Sequence, residues 1–343
     1  MRRAMLLAAL LAASGCGPPM AREPVGAGSA SGVPASGASG PVGDPHPVLR
    51  EALTSGQPPL QAYAAETYLE TGRPAPQGEL QTLAAGGNAR VRMVAVTVLG
   101  SGPRPDLVPL FRQRQRDDDP AVRLAAAFAL AMAGDTSQVT ALRDALAGPD
   151  VTLRRTACWL LGLMGNESAK GLLEVKLGDP DALVVLRAAE ALHRLGSDAG
   201  LDRVRRLTEH PSHEVRRVAA RLLGRIGSTA DVPRLERLAQ SQVFLDVKFA
   251  AIGSLARLGE FKRVSLLVEM LTGPDASARV LAARELGETG YEPALGPLGR
   301  LMARGDLAER TSAAGSILRI QALPQPWRTR ALKEGAGTHG KAQ

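Results

Sequence analysis

A motif recurs every 31 residues along this chain, and so regular a period leaves few ways of hiding apolar surface. Its anchor is a mostly basic or polar position at Gln61, Arg92, Arg123, Arg154, Val185, Arg216, Lys248, Arg279 and Arg310. Only the step from Arg216 to Lys248 differs, at 32 residues. Two small residues follow at +3 and +4, as in Ala126-Ala127 and Ala219-Ala220. The +7 position is aliphatic from Leu99 to Ile317, with Tyr68 in the first copy. Glycine stands at +11 in Gly72, Gly134, Gly165, Gly196, Gly227, Gly259 and Gly290.

Each copy reads as a helix. Val122, Ala126, Leu130 and Ala133 form one stripe at helical spacing. Four residues before the anchor stands a capping residue: Asn88, Asp119, Asp150, Asp181, Ser212, Asp275 or Asp306. Asp119-Pro120 sets proline at the first helical position, and the +11 glycine suits a left-handed end. Phe244 breaks the capping series beside the inserted residue, so the seventh copy enters its helix differently. A second apolar stripe precedes each helix, as in Val232/Leu235/Leu238 and Val264/Leu267/Leu271. The unit is therefore a helical hairpin that hides its apolar face only by stacking. With 3% aromatic residues the interior must be built from Ala, Leu and Val, which favours closely packed helices. The fold expected is all-α, an α-solenoid of about nine hairpins over residues 45–321. At about 10 Å per helix spacing these would make a curved rod on the order of 90 Å long.

Asp119-Pro120-Ala121-Val122-Arg123 with Ala125 to Leu130 and Gly134 resembles the HEAT-like repeat family, in its short phycobilisome-lyase form. Arg216 to Gly227 resembles it more closely still. The resemblance implies that the second helix of each hairpin lines the concave side, and that the array is an interaction scaffold.

The N-terminus reads as an address. Arg2-Arg3 and the apolar run Ala4 to Ala13 end in Ser14-Gly15-Cys16, which resembles a bacterial lipoprotein signal over residues 1–15. Ala13 departs from it, where that family usually has leucine; an ordinary secretory signal with an incidental cysteine is the alternative. The resemblance implies a lipid on Cys16, an exported protein, and delivery to the periplasmic face of the outer membrane, since Gly17 is not the aspartate of inner-membrane retention. Residues 16–44, rich in Gly, Ala, Ser and Pro, read as a flexible tether with a reach on the order of 30 Å. Residues 322–343, with Trp327, read as a cap and a disordered tail.

For function, +1 and +5 of the lining helices share a face. Leu124, Phe128, Arg155 and Trp159 lie on it, followed by Arg217, Arg221, Arg225 and Arg284. Aromatic residues beside arginine suit a protein-binding hot spot, although Phe128 and Trp159 could equally pack between repeats. The partner expected is a protein or peptide on the concave face. A purely structural part of an envelope assembly is a further reading.

Enzymes of the family offer a different class. Deoxyhypusine hydroxylases hold iron through several His-Glu pairs, whereas this chain has one, His213-Glu214, with His210 nearby. Phycobilin lyases handle tetrapyrroles in the cytoplasm. No phosphate loop, nucleophile elbow or zinc helix occurs, so the chain is expected to catalyse nothing, with no metal and no cofactor. Cys158 fills a small-residue slot. The formal charge of +8 would suit nucleic acid, but the expected compartment and the scarcity of aromatics argue against it.

Overall fold

Helix starts lie where the caps put them in the computed structural model, which describes residues 42–240 and 244–323. Side chains of Asn88, Asp119, Asp150, Asp181, Asp275 and Asp306 each accept a hydrogen bond from a first-turn amide. Ser212 does not, although its helix begins at the expected place. Phe244 precedes the seventh lining helix without a side-chain cap. At the other end, Gly72, Gly165 and Gly290 take φ of 64°, 67° and 68°, the left-handed region open to glycine. Gly227 is the exception, in extended backbone.

The described residues form nine hairpins without a strand. They pair α1 (His46–Thr54) with α2 (Pro58–Thr71), α3 (Gln77–Ala84) with α4 (Ala89–Leu99), and α5 (Val108–Arg114) with α6 (Pro120–Met132). Next come α7 (Val139–Ala147) with α8 (Val151–Met164), α9 (Lys170–Val175) with α10 (Ala182–Arg194), and α11 (Leu201–Leu207) with α12 (His213–Ile226). The last are α13 (Val232–Ala239) with α14 (Leu245–Arg257), α15 (Val264–Met270) with α16 (Ala276–Thr289), and α17 (Leu295–Arg304) with α18 (Leu307–Ala322). No described helix is long and apolar enough to cross a membrane.

The array is not an open rod. Successive even-numbered helices pack on one another from α2 to α18, and α18 then packs on α1 and α2, so the lining layer closes on itself. Nine steps close a circle at about 40° each. The residues supply that curvature. Small pairs at +3 and +4, such as Ala95-Val96, Ala126-Ala127 and Ala282-Ala283, are buried between helices. Glycine at +8 lets adjacent lining helices approach further. A Cβ on Gly100, Gly162, Gly224 or Gly287 would lie within 3 Å of Ala129, Ala191, Ser254 or Ser316. Leucines fill the space under the outer helices, so the inner layer is the shorter arc.

The anchor arginines join consecutive hairpins. Arg154 donates to the carbonyls of Gly148 and Pro149 at 3.1 and 2.7 Å, and forks onto Asp179 of the next hairpin at 2.9 and 3.1 Å. Arg92 does the same with Gly86, Gly87 and Asp117. Bidentate pairing of this kind adds geometric specificity to a repeated interface.

Candidate functional site

Because the lining helices form a closed layer, their +1, +5 and +9 positions converge on a common interior. It has two unlike halves. On α4, α6 and α8 the lining is apolar: Met93 and Trp159 are half-buried, and Leu124 and Phe128 are buried. Phe128 is 0% exposed and belongs to a core cluster with Leu142, Leu160 and Leu173. Leu124 lies in the same cluster. The expectation that these two offer a binding surface is therefore corrected. The tight inner arc drives them between helices, leaving Trp159 as the aromatic that keeps partial exposure.

From α10 round to α2 the interior is charged. Arg225 bridges Glu190 at 2.9 Å and Glu288 at 2.8 Å, and Glu288 also has Arg257 at 3.8 Å and Arg319 at 3.9 Å. Arg221 pairs with Glu285, passing across α14 to reach it. That crossing is open because the intervening +5 residue is Gly253, whose absent Cβ would stand 3.3 Å from the Glu285 carboxylate. Gly315 plays the same part at the closure, where a Cβ would lie 2.8 Å from the Tyr63 ring. Tyr63 in turn carries the guanidinium of Arg284 at 4.3 Å and that of Arg319 at 4.9 Å from its centroid.

Arginines outnumber carboxylates in this half. Arg187, Arg194, Arg217, Arg221, Arg225, Arg257, Arg284 and Arg319 face Glu66, Glu70, Glu190, Glu285, Glu288 and Asp246, with Glu214 acting on Arg217 from the edge. Burial, with Arg221 alongside, holds the Arg217 guanidinium below its usual value. Arg257 and Arg284 are lowered in the same direction, chiefly by burial. Burial also pushes the Glu66 carboxyl up, with Glu70 adding to it. The interior still meets solvent: side chains of Arg217, Arg221 and Arg225 keep 25%, 29% and 30% exposure. Chemically this is a partly buried cationic surface with an apolar flank, suited to holding an anionic group.

Of the eight residues expected on this face, the structure brings Arg217, Arg221, Arg225 and Arg284 together but gives each an internal partner. Arg155 stands apart, forked onto Asp181 at 3.0 and 2.8 Å. The sequence reading stopped at +5 on most helices and so missed Arg257, Glu288 and Arg319, which the same period carried one turn further would reach. It also missed Tyr63, which sits at +2 and enters only because the array closes.

Of the histidines, His213 reaches the edge of this charged half through Asp246, which it shares with Arg217. His213 stacks on Phe244 at 4.7 Å with its Nδ1 3.2 Å from Asp246, while His210 Nδ1 accepts the Ser212 amide and Glu214 is exposed. No group of three metal-binding side chains occurs among the described residues. Burial pushes the Cys158 thiol up to about 12. Cys16 and Trp327 lie outside the described residues.

With that geometry in view, comparison with known proteins gives a consistent fold. A family model for HEAT repeats matches residues 76–151, 139–208, 169–256 and 201–280. No curated protein sequence matches the chain. Similar solved structures include YibA of Escherichia coli, at 19% identity and a TM-score of 0.38, covering 73% of this chain and 94% of that one. The CpcE–CpcF complex of phycocyanin lyase from Nostoc sp. PCC7120 has 19% identity, a TM-score of 0.39, and coverage of 72% and 96%. Human deoxyhypusine hydroxylase in complex with glycerol has 16% identity, a TM-score of 0.38, and coverage of 71% and 95%. Two of these are enzymes. The expectation that the chain catalyses nothing is corrected on more general grounds: a HEAT-repeat fold does not by itself exclude catalysis.

Proposed function

The chain belongs to the HEAT-repeat family, and from that premise we propose that it is a binding protein whose interior takes an acidic, extended segment of a protein partner. The carrying observation is the charge surplus inside the closed layer. Arg217, Arg257 and Arg284 are all lowered by burial, and an incoming carboxylate would relieve each of them. The half-buried Trp159 on the opposite wall offers an apolar contact to the same segment. Tethering through a lipid on Cys16, outside the cytoplasm, is part of the proposal and rests on the signal-like residues before it.

A photo-crosslinking residue in place of Arg284, compared with one at the exposed Val175, tests the reading in the native cell. The expected result is a discrete protein adduct at position 284 that is lost on Arg217→Gln. Equal adducts at both positions, or none at 284, would remove it.

A further inference from the structure

The hairpin built from α5 and α6 carries a feature that the repeat does not require. The end of α5 and the turn that follows it read Arg112-Gln113-Arg114-Gln115-Arg116. With Arg92, Asp117 and the main chain at Gly86, these arginines line a cleft of about 650 Å³ between the second and third hairpins. Arg114 stands at the slot that holds Leu83, Leu207, Leu238 and Leu301 in four other hairpins. Its side chain is 15% exposed, and its Nε is buried without a hydrogen-bond partner. A buried guanidinium nitrogen left unsatisfied is costly.

Pairing within the cleft is incomplete in one direction. Asp117 is taken by Arg92, at 2.7 and 2.9 Å, and touches Arg114 only at 3.4 Å. Among the described residues the side chains of Arg112 and Arg116 make no ion pair or hydrogen bond, Arg112 acting on Asp135 only at longer range. Four arginines against Asp117 and Asp118 leave a surplus of two positive charges. The equivalent slots one period on hold Arg143, Ala145 and Ala147, so the concentration belongs to this junction alone of the two.

We propose that this cleft binds a phosphomonoester. A dianion matches the surplus of two charges. Its oxygens accept from the forked guanidiniums of Arg112 and Arg116, and the more deeply set Arg114 adds positive charge beneath them. The volume exceeds that of a bare phosphate and leaves room for the group that carries it, a soluble phosphorylated molecule or the headgroup of a membrane lipid. This site is separate from the interior of the array and does not depend on the function proposed for it.

Equilibrium dialysis of the full chain against inorganic phosphate provides the test, with Arg112→Gln/Arg116→Gln as the variant and Arg143→Gln as the control. One saturable site is expected, weakened at least about tenfold in the double variant and unchanged in the control. Displacement by glycerol 3-phosphate assigns a soluble source. Cosedimentation with phosphatidic acid vesicles that the double variant abolishes assigns a lipid one. Absence of saturable uptake, or equal uptake by all three proteins at equal helicity, overturns the proposal.

Discussion

Arg319, near the end of the last helix, donates through Nη1 to the hydroxyl of Tyr63 in the second helix at 2.7 Å. The same guanidinium reaches Glu70 at 2.7 Å and Thr67 at 3.2 Å, and Arg310 pairs with Glu51 beside it. Polar side chains are buried at this closure as well: Thr67 of α2 and Ser312 of α18 are fully enclosed. The closure is thus held in large part by polar groups. Tyr63→Ala removes two cation–π contacts and the hydroxyl at once, at a cost of about 1–3 kcal/mol. The expected outcome is a larger radius of gyration by small-angle scattering with unchanged helicity. An unchanged radius with unchanged melting would show that the junction is held by the rest of α18.

Acid should open the interior. Burial alone would raise the Glu288 carboxyl, but Arg225, Arg319 and Arg257 hold it at about 2, below the ordinary 4.5. Glu190 is lowered likewise, with Arg187 and Arg225 outweighing burial. Carboxylates depressed in the folded state give stability that is complete above the unfolded value and is lost as pH falls through the folded one. Glu66, raised by burial, works the other way and offsets a part. Melting followed by circular dichroism should therefore fall between pH 4.5 and about 2. Glu288→Gln should flatten that slope and cost about 1–3 kcal/mol at neutral pH. A slope identical in the variant would place the acid response elsewhere.

The period of 31 residues was enough to place nearly every lining helix, because its capping aspartates and C-terminal glycines act within one turn of the chain. Closure was not legible. It depends on the angle between hairpins, which is set by contacts such as Gly224 with Ser254 between residues 30 apart, and small errors in that angle accumulate over nine steps. The fate of Phe128 follows from the same quantity: on an open rod its +5 position faces solvent, and on a tight ring it is buried. Arg154 shows a different limit. Its anchor position was plain in the sequence, but its partner Asp179 lies 25 residues on, outside the motif that defines the repeat.

Glycine at +8 provides a sharper check on the curvature. A Cβ on Gly100 would lie 2.2 Å from the Cβ of Ala129, a separation that forces α4 and α6 apart. Gly100→Ala should destabilise the protein by about 1–3 kcal/mol through overpacking. Gly102, two residues away with nothing within 4 Å, is the matched control, and its alanine variant should stay within about 0.5 kcal/mol of the parent. Denaturant midpoints measure both. Equal midpoints for the two variants would mean that the lining helices tolerate a wider spacing than their packing indicates.

Phe128 and Trp159 separate packing from binding, since they share the +5 position on neighbouring helices but not their surroundings. Phe128 is wholly enclosed, so Phe128→Ala leaves a cavity in the cluster around Leu142 and Leu160, at a cost of about 3–5 kcal/mol. Trp159 lies half-buried at the edge of that cluster, and its removal forfeits less apolar area, about 1–3 kcal/mol. Chemical denaturation should therefore rank Phe128→Ala well below Trp159→Ala in stability. Adduct formation at position 284 should respond in the opposite order once both variants are compared under conditions where they are fully folded. Trp159 contributes surface to the interior and Phe128 contributes only the wall behind it, so a stronger effect of Phe128→Ala on the adduct would place the apolar contact on α6 instead of α8.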